Sequence, residues 1–146
     1  MQLSRSATPS YTRDMDKIII SAIDHFIHES EMWERALNFF KQENAFLKTR
    51  LSQVVDNNTD KEFVELAEHF QNRFLFTDEY IRELCQDIRL QLDQVKKIIS
   101  PGMLHNGATQ PRQDKLRNEM EKFERNFSFL RNEFNQKLVS YILKPN

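Results

Sequence analysis

The chain has 146 residues, with 21 Lys and Arg against 22 Asp and Glu, so its formal net charge is −1. A charge this close to zero excludes a general electrostatic attraction to nucleic acid or to anionic lipid. Only two Gly and four Pro occur beside a charged fraction of 29%, a composition typical of long helices. The length is that of one domain that can bury its own core.

The only cysteine is Cys85, so the chain cannot form an internal disulfide, and a reducing compartment is favoured. The one apolar patch near the N-terminus, Ile18–Ile20, is bracketed by charged residues, so we expect no secretory signal peptide there. No run approaches the ~18 apolar residues of a membrane span. These features predict a cytoplasmic protein without a membrane association.

The first 13 residues are rich in Ser and Thr, contain Pro9 and lack an apolar period, which predicts a disordered tail over 1–13. From about 14 to 56, apolar residues recur in alternating steps of four and three, as in a helix packed against other helices. The same register holds on both sides of Ser30, so we expect one continuous helix. The alternative is a break near 28–31, with Ser30 as the N-cap of a second helix.

A second helix is predicted over about 59–99, after a short polar turn. Thr59 and Glu62 match a capping box, in which each side chain accepts a hydrogen bond from the other residue's backbone amide. The short turn forces this helix to fold back antiparallel to the first. Its uninterrupted apolar stripe consists of Phe63, Ala67, Phe70, Phe74, Thr77, Ile81, Leu84, Ile88, Gln91, Val95 and Ile98.

Three polar residues occupy stripe positions where aliphatic residues would be more stabilising: Asn44, Thr77 and Gln91. Buried polar residues at such positions commonly set the register or the oligomeric state of packed helices. The alternative is that a partly hydrated seam simply tolerates them.

A third helix is predicted over about 112–143, after a flexible loop over 100–111 that contains both glycines and two of the four prolines. Its stripe consists of Leu116, Met120, Phe123, Phe127, Leu130, Phe134 and Leu138. Three such stripes predict an all-α fold, an antiparallel up-down-up three-helix bundle of long coiled-coil-like helices in a single domain over 14–146. The third helix is basic and the first two are acidic, which favours their docking within the chain.

The third helix is shorter than the second, and if it starts beside Ile98 it should end near the level of Asn44 and Phe74. Beyond that level only two helices would remain, and two helices cannot bury both sides of their stripes. The tip of this hairpin is therefore predicted to bind a partner or a second copy of the chain. The predicted partner-binding residues are Phe46, Leu47, Leu51, Val54, Phe63, Leu66 and Phe70. The alternative is that the flexible loop lets the third helix shift toward the tip and cover it.

The sequence offers little support for catalysis or for a bound cofactor. Glu65 and His69 lie one helical turn apart, as do His25 and Glu29, and each pair could supply two ligands of a metal site. Helical di-iron sites, however, need a Glu three residues before a His, and this chain has none. Cys85 follows a stripe residue and is interpreted as a structural thiol. We therefore predict no catalytic residue, no metal site and no cofactor.

Basic residues of the third helix alternate with acidic ones, which is typical of a solvated face rather than of a nucleic-acid interface. The sequence thus predicts a non-enzymatic helical protein that binds another helical protein or itself, as in a homodimer. One alternative is a bundle that binds a small ligand or a metal between its helices. A nucleic-acid accessory protein is the weaker alternative.

Overall fold

The computed structural model of the protein describes residues 10–56, 60–98 and 107–142. These ranges contain no strand and form three helices: α1 (Ser10–Val55), α2 (Lys61–Lys96) and α3 (Thr109–Ile142). Helix α2 runs antiparallel to α1, and α3 runs parallel to α1. The predicted all-α, up-down-up three-helix bundle is confirmed.

Helix α1 is continuous through residues 28–31, and Ser30 is fully buried inside it instead of capping a second helix. Of the predicted disordered tail, residues 1–9 lie outside the described residues, whereas 10–13 already belong to α1. The predicted helix start at 14 is therefore four residues too late. Between Pro9 and Pro101 the sequence contains neither Gly nor Pro, so no local signal stops the helix from starting earlier.

The N-termini of the other two helices also differ from prediction. The N-cap of α2 is Asp60, whose side chain accepts a hydrogen bond from the backbone amide of Glu62 at 3.3 Å. Thr59, the predicted cap, lies outside the described residues. A carboxylate cap interacts with the helix dipole as well as with the orphan amides, which favours Asp60. Helix α3 starts three residues early, after Gly107, whose φ of 83° lies in the left-handed region that favours glycine.

The three stripes face one another and form one apolar core. Leu37 of α1 and Phe74 and Ile88 of α2 are completely buried in it. The ring of Phe134 on α3 packs edge-on against two rings of α2, with centroid distances of 5.3 Å to Phe70 and 5.1 Å to Phe74. Edge-to-face pairs of this kind contribute about 0.5–1.5 kcal/mol beyond the area they bury. These contacts hold α3 antiparallel to α2.

A buried polar layer joins all three helices. Gln91 of α2 donates hydrogen bonds to the Thr109 carbonyl and to the side chain of Gln113, both at 3.1 Å. Gln113 donates in turn to Glu29 of α1 at 2.9 Å. Arg117 binds the same carboxylate through two nitrogens, at 2.7 Å each. Because each of these side chains needs its partner, the layer fixes the position of α3 along the bundle.

The three polar stripe residues thus have different roles. Asn44, fully buried on α1, donates to the backbone carbonyl of Phe74 on α2 at 2.9 Å. Gln91 also bonds between helices. Thr77 donates instead to the Arg73 carbonyl of its own helix, at 2.8 Å. The contacts favour the register-setting interpretation for Asn44 and Gln91, and simple tolerance for Thr77.

Substitution of Gln113 tests the polar layer. Gln113→Ala removes the acceptor of Gln91 and the donor to Glu29, so we expect the free energy of unfolding to fall by about 1–3 kcal/mol. Urea denaturation followed by circular dichroism measures the change. Gln136→Ala, at an exposed position of the same helix, should stay within about 0.5 kcal/mol of the wild type. Equal stability of the two variants would contradict the role of the layer.

The layer should also make stability depend on pH. Burial raises the pKa of Glu29, but the hydrogen bonds from Arg117 and Gln113 outweigh it and hold that pKa below its usual 4.5. The carboxylate therefore stabilises the fold at neutral pH, and this contribution is lost as the pH falls through the pKa of the folded state. We expect Glu29→Gln to cost about 1 kcal/mol at pH 7.

The difference between Glu29→Gln and the wild type should then shrink below about pH 4. Urea denaturation at pH 7, 5 and 3.5 measures it. Glu31→Gln, at an exposed position of α1, serves as the control and should differ little from the wild type at every pH. A cost of Glu29→Gln that stays constant across the range would show that the charge of Glu29 is not the cause.

Candidate functional site

Helix α3 covers the tip that was predicted to bind a partner. Four of the residues predicted at this tip are at most 3% exposed: Leu47, Leu51, Phe63 and Phe70. The Tyr141 ring, from the last turns of α3, packs edge-on against Phe63 with a centroid distance of 5.0 Å. The prediction of an open two-helix tip is wrong, and these four side chains are part of the core.

The remaining predicted site residues do not form a surface together. Val54 and Leu66 are half-buried beside the core. Phe46 is 61% exposed, on a face of α1 that points away from the core. Of the seven predicted residues, it alone is a large apolar side chain mostly in water.

The error has two parts. A helix over 112–143 that starts beside Ile98 already reaches the level of Ala67, beyond Phe74, and the register of α3 along α2 also differs from the prediction. A start beside Ile98 would place a residue near 119 at the level of Gln91. The hydrogen bond between Gln91 and Gln113 shows that α3 lies about six residues, or ~9 Å, closer to the tip. This shift lets Tyr141 reach Phe63. The sequence does contain the signal: Gln113 and Thr109 continue the stripe of α3 backwards, and Gln113 is a polar stripe residue that needs a polar partner.

The most exposed large apolar side chains of the described residues are Phe76 on α2, at 71%, and Phe129 on α3, at 70%. They line opposite sides of one surface groove of about 500 Å³ between the two helices, which we call the α2/α3 groove. Phe70 lies beside Phe134 and Gln91 beside Gln113, and this register places Phe76 level with Phe129. The buried or half-buried floor of the groove is formed by Thr77, Tyr80, Phe123, Phe127 and Leu130.

Tyr80 is the polar centre of this floor. Its ring stacks on Phe123, with a centroid distance of 5.7 Å and an interplanar angle of 6°. Burial raises the pKa of Tyr80, and the nearby carboxylates of Glu119 and Glu83 add to the effect. The phenol therefore stays protonated at neutral pH and can donate a hydrogen bond into the groove.

The other polar groups of the groove suit recognition. Asn72 and Asn126 present exposed amides, and Lys122 presents an exposed ammonium group. Arg73 is already bound to Glu133 of α3 at 2.8 Å. The groove thus combines aromatic faces with hydrogen-bonding groups at its edges.

A second depression of about 390 Å³ continues the groove between the same two helices. It is lined by Asp87, Leu90, Gln91, Gln94, Arg112, Lys115, Leu116 and Glu119. Leu90 is 64% exposed there. Together the two depressions extend from Asn72 to Gln94 along α2, or ~33 Å.

A row of exposed apolar residues also follows the outer face of α1. Met32, Phe39 and Phe46 repeat every seven residues and therefore lie in one line along the helix. The exposed Arg35 and Gln42 lie between them. The row is a series of separate side chains, whereas the α2/α3 groove has two walls and an apolar floor.

The structure also locates the residues considered for chemistry. In the described part of the chain, no group of three or more His, Cys, Asp or Glu side chains lies close enough to hold a metal ion. Glu29, one of the candidate ligands, is bound by Arg117. Burial raises the pKa of the half-buried Cys85 thiol, which disfavours the reactive thiolate.

The chain matches no protein-family model, and no curated protein or solved structure is significantly similar to it. None of the described helices has an apolar stretch long enough to cross a membrane. The chemistry of the groove is therefore the basis for assigning a function.

Stability measurements test whether α3 covers the tip. Phe63→Ala removes a ring buried beneath Tyr141, so we expect it to lower the free energy of unfolding by about 3–5 kcal/mol. Phe46→Ala removes an equally large but exposed ring and should change stability by less than about 0.5 kcal/mol. Urea denaturation of both variants gives the comparison. If Phe63→Ala proved as harmless as Phe46→Ala, the tip would be open.

Proposed function

We propose that the protein is a non-enzymatic interaction module that binds a helical protein partner through the α2/α3 groove. The observation that carries the proposal is the pair Phe76 and Phe129, which face each other across an apolar floor with more than two thirds of each ring in water. Burying a Phe side chain is worth roughly 1.5–3 kcal/mol. A partner that covers both rings therefore gains roughly 3–6 kcal/mol from them toward binding.

The shape of the groove fits an α-helical partner. Two packed antiparallel helices leave a furrow in which a further helix can lie, as in four-helix bundles and in helix-in-groove recognition. The furrow extends ~33 Å along α2, which matches about 22 residues of helix. Its aromatic anchors lie in one half and Leu90 in the other, so a partner helix would contact apolar groups along its whole length.

The chemistry of the groove supports binding over turnover. The raised pKa of Tyr80 makes it a hydrogen-bond donor and a poor base at neutral pH. The cation Arg73 is neutralised by Glu133. Because the sole cysteine is a free, half-buried thiol, we expect the module to act in the reducing cytoplasm.

A small ligand is the second candidate occupant. The volume of about 500 Å³ falls within the ~300–1,000 Å³ that is typical of small-molecule sites. A flat aromatic ligand could stack near Tyr80 and accept a hydrogen bond from its phenol. It would, however, contact only the sides of Phe76 and Phe129 that line the groove, whereas a protein partner can cover both rings, which is why the protein partner is the better candidate.

Site-specific cross-linking tests the proposal. A photoreactive p-benzoylphenylalanine in place of Phe129 should form covalent adducts with protein in the cells that produce the chain. The same group in place of Phe39, which is 60% exposed on α1, should form far fewer. Adding Phe76→Asp should remove the adducts at position 129, because it places a charge opposite the reactive ring. Mass spectrometry identifies the captured chain, whether it is another protein or a second copy.

Two results would overturn the interaction role of the groove. One is that adducts form equally at positions 39 and 129. The other is that Phe76→Asp leaves the adducts at 129 unchanged. A groove that serves only a small ligand would give no protein adduct at 129.

A further inference from the structure

The two sides of the α2/α3 groove carry opposite charges. On the α2 side, two exposed acidic residues lie seven and eleven positions after Phe76 and so share its face: Glu83 and Asp87. On the α3 side the exposed basic residues that line the groove are Arg112, Lys115 and Lys122. Each side also carries one lining residue of the other sign, and both are paired: Arg73 of α2 with Glu133, and Glu119 of α3 with Lys115 at 3.9 Å. Glu83 and Lys122, the central pair, have no ion-pair partner within 4.0 Å among the described residues.

The register of α2 against α3 sets the levels of these charges. Because the helices are antiparallel, each step forward on α2 corresponds to one step back on α3. Phe63 lies beside Tyr141, Phe70 beside Phe134 and Gln91 beside Gln113. The same register places Phe76 level with Phe129, and Glu83 level with Lys122.

Building on the proposed function, we propose that the partner is a second copy of this chain, which covers the groove with its own α2 and α3, packed face to face about a two-fold axis parallel to the helices. Rotation about such an axis leaves each residue at the same height along the helices, but it brings α2 of the second copy to the side on which α3 of the first copy lies. Helix α2 of each copy then faces α3 of the other. Phe76 meets Phe129 of the second copy, and Glu83 meets Lys122 of the second copy, and both contacts occur twice.

The charges select this axis over its alternative. A two-fold axis perpendicular to the helices would place α2 against α2 and α3 against α3. With such an axis at the middle of the face, Glu83 would face Glu83 of the second copy and Lys122 would face its Lys122, and like-charge contacts of this kind cost several kcal/mol at an interface. With the parallel axis, the acidic α2 side of each copy, with Phe76, faces the basic α3 side of the other copy, with Phe129.

The face is large enough for a dimer. Its length is ~33 Å, and two helices side by side, spaced 8–10 Å apart, make it roughly 20 Å wide. Each copy would therefore bury about 650 Å², or about 1,300 Å² for the pair, within the ~1,200–2,000 Å² of specific interfaces. The four Phe rings would lie in one half of this face, near its Asn72 end, and the Glu83–Lys122 pairs would lie near its middle.

Charge reversal provides the test, with sedimentation velocity of the purified full chain as the readout. The wild type is expected to be a dimer at micromolar concentration. Glu83→Lys creates two Lys–Lys contacts across the axis and Lys122→Glu creates two Glu–Glu contacts, so each variant alone should raise Kd at least tenfold. An equimolar mixture of the two variants restores both opposite-charge contacts. We expect this mixture to form a heterodimer with a Kd within about threefold of the wild type.

Two matched variants show where the interface lies. Phe76→Asp should abolish the dimer, whereas Phe39→Asp on the outer face of α1 should leave it intact. Glu31→Lys, an exposed charge reversal on α1, should also have no effect on Kd. Circular dichroism of each variant establishes that the fold is retained, and the recovery on mixing cannot arise from unfolded chains.

The outcomes distinguish the two proposals. A wild type that stays monomeric at high concentration, while Phe129 cross-links to a different protein, overturns the second copy and leaves the interaction module standing. A dimer that is broken by Phe39→Asp, or a mixture that fails to recover, overturns the arrangement about the parallel axis. If position 129 forms no protein adduct and the chain is monomeric, both proposals fall.

Discussion

The hydrogen-bonded layer of Gln91, Gln113, Glu29 and Arg117 determines how the rest of the bundle is arranged. Apolar stripes bring helices together, but a stripe that repeats every seven residues can slide by a heptad and still bury a similar set of side chains. Buried amides cannot slide in this way, because each one that loses its partner costs about 1–3 kcal/mol. The polar layer therefore selects one register of α3 among several that the apolar residues alone would allow.

Two features of the surface follow from that register. The last turns of α3 reach the tip, so that Tyr141 covers Phe63 and the hairpin end is closed. The same placement brings Phe129 level with Phe76, where the two rings face each other across an apolar floor. If α3 were shifted along α2 by one heptad away from the tip, the tip would be open and Phe129 would no longer lie level with Phe76. The closed tip and the aromatic groove are thus two consequences of a single set of buried hydrogen bonds.

The sequence predicts the helices well because the apolar period, the scarcity of Gly and Pro and the short polar turn all agree. It predicts the register poorly because stripes are degenerate under a heptad shift. It also misses Phe129, since a stripe analysis looks for core positions and Phe129 lies off the stripe of its helix. Phe76 and Tyr80 do flank the stripe in the sequence, but they form a site only once α3 lies beside them. The geometry of the groove therefore depends on a packing choice that local patterns do not encode.

Charge must likewise be considered face by face. Summed along each helix, the charges indicate that a basic α3 docks on two acidic neighbours, and Arg131 does bind Glu43 of α1 at 2.9 Å. On the opposite side of α3, however, Lys122 lines the α2/α3 groove and faces solvent, and Glu83, exposed on α2, lies level with it. The net charge of α3 combines these two faces, although only the face that carries Arg131 contributes to the packing of α3 on α1. A chain with a net charge of −1 can therefore carry strongly separated charges along one groove, and that separation orients a partner more specifically than apolar rings can.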